Sequence, residues 1–261
     1  MELLLADLLM YSITGACVGL LVGITGVGGG SLMTPLLLAF GFPAHIAVGT
    51  DLLYAAATKA GGVYGHSRQK SVDWSLALLL AAGSLPAAGV TILLLTWFFD
   101  DPAQYSALLT TTLGGMLILT SGVILFRRRL RGLSGAGQGI IHQHVKTITL
   151  ATGIVLGVLV TLSSVGAAAI ATAVLMLLYP KMRGLDIVGT NLAHAVPLTL
   201  LAGLGHLYLG NVDLVLLGCL LLGSLPAIVL GTRLASRIPE ALMQPVLAST
   251  LLGLGIKFAF F

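Results

Sequence analysis

Gly83-Ser84-Leu85-Pro86-Ala87 returns, residue for residue, as Gly223-Ser224-Leu225-Pro226-Ala227, 140 positions further along the chain. Self-similarity at a fixed offset indicates a repeat, and a repeat decides the architecture. Apolar helices resemble one another through shared Leu, Ala and Gly. That resemblance does not place Ser and Pro in register, so the chain is predicted to contain two related halves.

The matches extend outward from this pentapeptide in both directions. Gly15, Gly19, Val27 and Gly28 return as Gly153, Gly157, Val165 and Gly166 at an offset of 138, and the remaining matches keep the offset of 140. Those later matches carry Val48-Gly49-Thr50-Asp51 to Val188-Gly189-Thr190-Asn191, Gly65-His66 to Gly205-His206, and Val72-Asp73 to Val212-Asp213. We expect residues 1–126 to form the first transmembrane repeat, 127–146 a basic cytoplasmic linker and 147–261 the second repeat.

The composition predicts an all-α integral membrane protein. Of 261 residues, 57% are hydrophobic and 8% are charged, against roughly 25% charged in soluble domains. Runs such as 76–99 and 214–230 approach the roughly 20 apolar residues that span a bilayer. The net charge of +4 comes mostly from basic residues in short loops, which indicates orientation signals and no nucleic-acid surface. Because residues 1–7 carry acids where a signal peptide is basic, we expect no cleavable signal, and a multi-pass protein of the bacterial inner membrane.

Each half is predicted to contain a broken or re-entrant helix pair followed by three transmembrane helices, which gives about 8–10 membrane segments. The predicted segments are 8–24, 28–40, 46–66, 74–99 and 105–126 in the first half, and 147–163, 167–179, 186–208, 211–232 and 241–260 in the second.

Loop charges predict that the halves are inverted. Arg68, Lys70 and the run 127–131 mark basic loops of the first half, whereas Lys181, Arg183, Arg233 and Arg237 occupy loops whose first-half equivalents carry no basic residue. If basic loops face the cytoplasm, the second half must run opposite to the first. The inference requires each opening pair to cross twice or to enter and return, since a single crossing would make the halves parallel.

The two breaks are the first candidate substrate sites. Four glycines fall within seven residues at 25–31, in the sequence Thr25-Gly26-Val27-Gly28-Gly29-Gly30-Ser31, and hydroxyl and small residues occupy 161–167. Non-helical backbone at membrane depth must be buried in protein or line a wet cavity, and half-helix N-termini there attract anions. A phosphate-binding loop is excluded because no Lys-Ser or Lys-Thr follows the glycines. The predicted substrate-binding residues are Thr25, Gly28, Gly29, Gly30, Ser31, Ser163, Ser164 and Gly166, with tight helix packing as the alternative.

Polar side chains inside the spans are the second set of candidates, because they are expensive in lipid. Thr50, Asp51, Thr190 and Asn191 are predicted either to face a central cavity or to cap their helices. Lys59 is expected to attract an anion or to pair with Asp51 and extend toward the interface, and Asp51 or His194 offers proton coupling. His66 and His206 are secondary candidates near span ends; no metal or cofactor site is predicted.

The order of these motifs resembles the sulfite exporter TauE/SafE family. The resemblance rests on the glycine-rich break, Pro35, Gly41-Phe42-Pro43, the Gly49-Thr50 and Gly65-His66 motifs and Val72-Asp73-Trp74, and it covers essentially the whole chain. It implies a secondary transporter of a small sulfur-containing or organic anion, and it carries a backbone-amide role onto Gly28, Gly29 and Gly30 only. A channel and, less favoured, an intramembrane enzyme are the alternatives. The identity of the anion, the direction of transport and the oligomeric state are left open.

Overall fold

The structure is a computed structural model, and it describes residues 5–25, 30–133, 144–235 and 240–260. These residues form ten helices and no strand, five helices in each half, so the all-helical fold class is confirmed. The helices are α1 Leu5–Thr25, α2 Gly30–Ala39, α3 Ala44–Arg68, α4 Trp74–Phe98, α5 Pro102–Leu133, α6 Val145–Ser163, α7 Ala167–Leu178, α8 Gly184–Tyr208, α9 Leu214–Ala235 and α10 Glu240–Phe260.

Six of the described helices are long and apolar enough to cross a membrane: Leu5–Ile24, Trp74–Phe98, Pro102–Phe126, Val145–Ser163, Gly184–Tyr208 and Leu214–Leu234. Helix α3 is not among them, and it carries Asp51 and Lys59 in its interior. Both side chains are buried against other helices, which keeps them away from lipid. Asp73 and Asp213 cap α4 and α9 by accepting hydrogen bonds from the backbone N–H groups of Leu76 and Leu216.

The opening helix pair of each half enters and returns to the same end of the molecule. The Tyr11 ring of α1 contacts Phe42, which follows α2, with 5.6 Å between ring centroids. In the second half the Thr149 hydroxyl lies 2.9 Å from the Tyr179 hydroxyl, in the equivalent place. In the second half the chain therefore reverses direction at the break, and in the first half α1 and α2 run in opposite directions.

The first helix of each half packs in parallel against the fourth helix of the other half. A Cβ added at Gly15 of α1 would lie 2.3 Å from the Leu220 carbonyl oxygen of α9, and one at Gly153 of α6 would lie 2.4 Å from the Leu80 carbonyl oxygen of α4. Gly19 and Gly157 meet Ser224 and Ser84 in the same way. Gly15, Gly19 and Gly23, spaced four residues apart on one face of α1, thus form a close helix contact.

The two helices that are repeats of each other, α3 and α8, pack against one another in opposite directions. Gly49 lies against His206, Gly62 against Leu192, and Gly189 against His66. The same reversal relates α5 to α10, where Gly114 lies against Ala259 and the Ser121 hydroxyl donates to the Ala248 carbonyl oxygen at 2.8 Å. In both pairs the equivalent helices therefore pack antiparallel, and each contact has a reciprocal one.

The ends of the bundle differ in charge. Two cavities of about 800 and 420 Å³ lie at the end where α4, α6 and α8 begin, and Lys70, Lys146, Lys181 and Arg183 line them. The opposite end holds the loops 40–43, 99–101 and 209–213, which contain Asp100, Asp101 and Asp213 and no Lys or Arg. Tyr105 joins two of these loops by accepting a hydrogen bond from the Asn211 amide. We refer to these as the basic end and the acidic end.

We expect Gly153→Ala to weaken the contact between α6 and α4. The added methyl would overlap the Leu80 carbonyl oxygen, and overpacking of this kind costs about 1–3 kcal/mol. The matched control is Gly218→Ala in α9, whose added Cβ would meet nothing within 4 Å and would gain about 1 kcal/mol of helix propensity. Thermal unfolding of the purified protein in detergent compares the two; equal melting temperatures would contradict the close contact.

Candidate functional site

The second break is a tight turn built from two residues with left-handed backbone. Ser164 has φ +58° and Gly166 has φ +102°, and between them the chain leaves α6 and starts α7. The Ser163 hydroxyl serves the turn itself, since it donates to the Leu159 carbonyl oxygen at 2.6 Å and accepts from the Val165 N–H at 3.2 Å. Glycine adopts such φ values freely whereas serine does so at a cost of about 1–3 kcal/mol, so Ser164 is the unusual residue of the turn.

A side chain from α8 satisfies a carbonyl group that the break leaves without a helical partner. His206 donates from Nε2 to the Thr161 carbonyl oxygen at 3.0 Å. Carbonyls in the last turn of a helix have no intrahelical donor and must find one when they are buried. The Asn191 amide donates to the Ala168 carbonyl oxygen at 2.8 Å and to the Thr172 hydroxyl at 3.1 Å, which attaches α8 to α7. His206 and Asn191 therefore connect α8 to the helices on both sides of the break.

Asp51 occupies the position in the first half that Asn191 occupies in the second. It is fully buried, and the Thr34 hydroxyl of α2 donates to its Oδ2 atom. Thr34 and Thr172 are themselves repeat equivalents at the offset of 138, so each short helix is fastened to the long helix that follows by the same pair of positions. Sequence reasoning missed both threonines, although the offset that aligns the breaks also aligns them.

The second oxygen of Asp51 faces the break of the other half. The Ser164 hydroxyl is directed at the Asp51 carboxylate. Among the described residues, neither Asp51 Oδ1 nor Ser164 Oγ has a hydrogen-bond partner at normal distance. The structure thus brings together Asp51 and Ser164, two predicted site residues that are distant in sequence.

Lys59 and His194 are the two basic side chains that lie in the interior near Asp51. Lys59 has 6% of its surface exposed and lies close enough to interact electrostatically with Asp51 and with His194. Within the described residues the one ion pair shorter than 4.0 Å joins Arg183 to Asp186, so Lys59 is not in direct contact with Asp51. His194 is held by the Ser84 hydroxyl, 2.8 Å from Nε2.

A second equivalent pair, which the sequence reasoning did not identify, accompanies His194 and Ser84. The repeat offset of 140 relates His194 to Tyr54 and Ser84 to Ser224, and Ser224 faces the Tyr54 hydroxyl. Both hydroxyls are buried and lack a partner at hydrogen-bond distance among the described residues. The aligned Ser84 and Ser224 in the pentapeptide repeat were the signal available in the sequence.

Thr50 and Thr190 contact backbone of the opposite half. Thr50 accepts a hydrogen bond from the Asp213 N–H at 3.1 Å, and Thr190 accepts one from the Asp73 N–H at 2.9 Å. His66 is half-buried and its Nδ1 atom lies 2.8 Å from the Ser71 hydroxyl. These hydrogen bonds fasten the long helices to the starts of α4 and α9.

The capping interpretation of Asp51 and Asn191 is wrong. Helices α3 and α8 begin at Ala44 and Gly184, so both residues lie two turns inside their helices and their side chains reach the neighbouring short helix. The sequence placed the start of each span only approximately, and Thr, Asp and Asn are common at caps.

Most of the first break falls outside the described residues. Thr25 is the last residue of α1, and Gly30 and Ser31 are the first residues of α2. Gly28 and Gly29 lie outside the described part of the chain, as do the side chains of Thr25 and Ser31. Their substrate-binding role stays a prediction.

Long apolar helices and ionisable groups that are buried inside the bundle identify a multi-pass membrane protein, and ionisable groups within membrane helices are typical of transporters. The model of the sulfite exporter TauE/SafE family matches residues 11–258. The chain belongs to this family, whose members are membrane transporters.

Two curated relatives agree with the family assignment. The chain is 37% identical over 247 residues to the probable membrane transporter protein YjnA of Bacillus subtilis (strain 168), an alignment that covers 93% of this chain and 96% of that protein. It is 29% identical over 208 residues to the probable membrane transporter protein YdhB of the same organism, which covers 76% of this chain and 78% of that protein. No solved structure matches the chain.

The two repeat-equivalent histidines provide a matched test of the site's construction. His206→Ala removes the donor to the Thr161 carbonyl oxygen in a fully buried position, and leaving a buried polar group unpaired costs about 1–3 kcal/mol. His66→Ala removes a contact to Ser71 at a half-buried helix end, and we expect a smaller loss. Melting temperatures in detergent measure the difference. If His66→Ala is the more damaging change, His206 does not support the break.

Proposed function

We propose that this protein is a secondary transporter of a small anion, a sulfur-containing oxyanion or organosulfonate such as sulfite or sulfoacetate, and that it works by alternating access. The family match supports the class of cargo. The observation that carries the proposal is the buried Lys59 beside His194, without a carboxylate in direct contact. An isolated buried cation is costly, and a bound anion supplies the missing counter-charge.

We further propose that the halves have opposite orientations in the inner membrane, with the basic end in the cytoplasm. The antiparallel packing of α3 on α8 supports this, as does the clustering of Lys70, Lys146, Lys181 and Arg183 at one end. With a return at each break, three crossings per half remain, and an odd number inverts the second half. The basic segment 127–146 then connects the halves on the cytoplasmic side.

This orientation sets the depth of the interior charges. Contacts of Gly49 with His206 and of Gly62 with Leu192 place the crossing of α3 and α8 near residues 57 and 197. Lys59 then lies within one turn of the midplane. At 1.5 Å per residue, Asp51 lies about 10 Å toward the acidic end and Asn191 about 10 Å toward the basic end. We propose that the anion binds near Lys59, between these two levels.

Alternating access requires parts of the bundle that move as units. The close glycine contacts make α1 with α9, and α4 with α6, candidate rigid pairs, each composed of one helix from either half. The α3–α8 pair lies between them and carries the interior charges. We propose that the two rigid pairs tilt alternately about α3 and α8, so that the anion site opens first to one end and then to the other.

Single cysteines test the orientation. In a variant without Cys17 and Cys219, we expect Lys70→Cys and Lys181→Cys to be protected from a membrane-impermeant maleimide in intact cells and labelled after permeabilisation. Asp100→Cys should be labelled in intact cells. Opposite accessibility of positions 70 and 181 would overturn the inversion, because Lys70 and Lys181 line two adjoining cavities at the basic end that share Ser75 and Met182.

Flux into proteoliposomes tests the function. We expect saturable counterflow of at least one anion among sulfite, thiosulfate, sulfoacetate, sulfate and acetate. Lys59→Met should lower that flux at least tenfold because it removes the cation, whereas Lys59→Arg should retain more of it. The matched control is Lys146→Met, an exposed lysine at the basic end. Flux that rises linearly without counterflow would identify a channel, and flux indifferent to Lys59→Met would reject the anion site.

A further inference from the structure

The carboxylate of Asp51 has one satisfied oxygen and one unsatisfied oxygen, and its neighbours come from both halves of the protein. Thr34, on the short helix of its own half, donates to Oδ2. The Ser164 hydroxyl, on the break of the other half, lies close to the same carboxylate, and both Oδ1 and the Ser164 hydroxyl are buried without a hydrogen bond among the described residues. Buried polar atoms in native proteins are nearly always paired, so an orphaned carboxylate oxygen opposite an orphaned hydroxyl is an unfilled site for a hydrogen-bonding ligand.

The equivalent place in the second half contains an amide. Asn191 Nδ2 is a donor there, and it is satisfied by the Ala168 carbonyl oxygen and the Thr172 hydroxyl. A protonated carboxyl group has the shape of an amide, is likewise neutral and also contains a donor and an acceptor, although its single O–H replaces the two N–H donors of the amide. The two halves thus have related groups at equivalent positions. The Asn191 amide is always neutral, whereas the Asp51 carboxyl group can be neutral or charged.

Ser164 has a side chain although its backbone conformation favours glycine. Its φ of +58° is left-handed, and the offset of 138 pairs it with Gly26 in the first break. Glycine would adopt this conformation without strain. A strained residue at a break points to a role for its side chain, and the hydroxyl is directed at Asp51.

From this geometry we propose that Asp51 Oδ1 and Ser164 Oγ form a proton-binding site that couples proton movement to anion transport by linking the break of one half to α3 of the other. With Asp51 ionised, the Ser164 hydroxyl donates to Oδ1 and holds the break against α3. When a proton from water binds Oδ1, the carboxyl becomes a donor and that arrangement is lost. The proton returns to water on the other side of the membrane after the bundle has changed state.

Neighbouring charges determine the direction of coupling. The titratable groups that face Asp51 are Lys59, eight residues further along α3, and Tyr54. Lys59 favours the ionised carboxylate, and an anion bound at Lys59 cancels that effect and adds a repulsion. Anion and proton therefore favour each other's binding, by reciprocal linkage, and move in the same direction. This step rests on the proposed anion site.

The experiment measures protons and anions together in proteoliposomes that contain a trapped pH indicator. Thiosulfate and sulfoacetate are the probes because their charge is constant near neutral pH. With equal pH on both sides, we expect external anion to acidify the lumen of wild-type vesicles. Asp51→Asn, which copies the amide of the second half, should lower the ratio of protons to anions at least tenfold. Asp100→Asn, a change of an exposed carboxylate, is the control.

Ser164→Gly separates coupling from folding. The substitution relieves the left-handed serine, so the melting temperature should stay the same or rise, while the proton-to-anion ratio falls at least threefold. Anion counterflow by the wild type without lumen acidification, acidification that survives Asp51→Asn, or a requirement for sodium in place of protons would each overturn the proposal. Absence of counterflow by the wild type would instead overturn the proposed function, and the coupling with it.

Discussion

The need to pair every backbone polar group away from water governs this fold. A helix that ends inside the bundle exposes carbonyl groups at its last turn and N–H groups at the start of the next helix, and lipid offers them no partner. The chain can therefore reverse at Ser163–Gly166 only where protein side chains reach those groups. His206 does so from α8, and Ser163 does so within the turn, while Asn191 attaches α8 to α7. The polar residues of α8 are therefore needed to stabilise the break, and any role that they have in transport comes in addition.

The same constraint accounts for the exchange of helices between the halves. A break buried in its own half would need more surrounding helices than five can provide. Each half therefore covers the other, with α1 on α9 and α4 on α6, at backbone separations that only glycine permits at Gly15, Gly153 and their neighbours. Without a hydrophobic force between helices in lipid, close packing supplies the attraction. The reciprocal hydrogen bonds of Thr50 with Asp213 and of Thr190 with Asp73 add polar contacts at the two ends.

The sequence predicted the helices, the repeat and the small-residue contacts because each leaves a local pattern. The glycine stripe at Gly15, Gly19 and Gly23 predicts close packing whichever helix is the partner. The partner itself was not predictable, since nothing local connects Gly15 to Leu220 or Ser164 to Asp51. The error at Asp51 has the same origin. Its neighbours resemble a helix start, and only the position of Thr34 on the adjacent short helix reveals that the carboxylate is directed sideways. Alignment of the two repeats would have identified more of the interior positions than the separate motifs did. The aligned pairs Thr34 with Thr172 and Ser84 with Ser224 are examples.

The departures from the repeat concentrate where the halves meet in the interior. Equivalent positions of the two halves have similar surroundings. A difference in residue at such a position therefore changes the chemistry of the side chain while the helix packing stays the same. Asp51 replaces Asn191, Ser164 replaces Gly26, and Tyr54 replaces His194, whereas the supporting Thr34 and Ser84 are matched by Thr172 and Ser224. Neutral residues at both of these equivalent positions would hold both breaks equally well and would carry no charge. Among the described residues, these differences leave a buried carboxylate at Asp51 and, near the crossing of α3 and α8, a buried lysine at Lys59. Under the proposed coupling, these two charges would make the two halves differ in their affinity for ions.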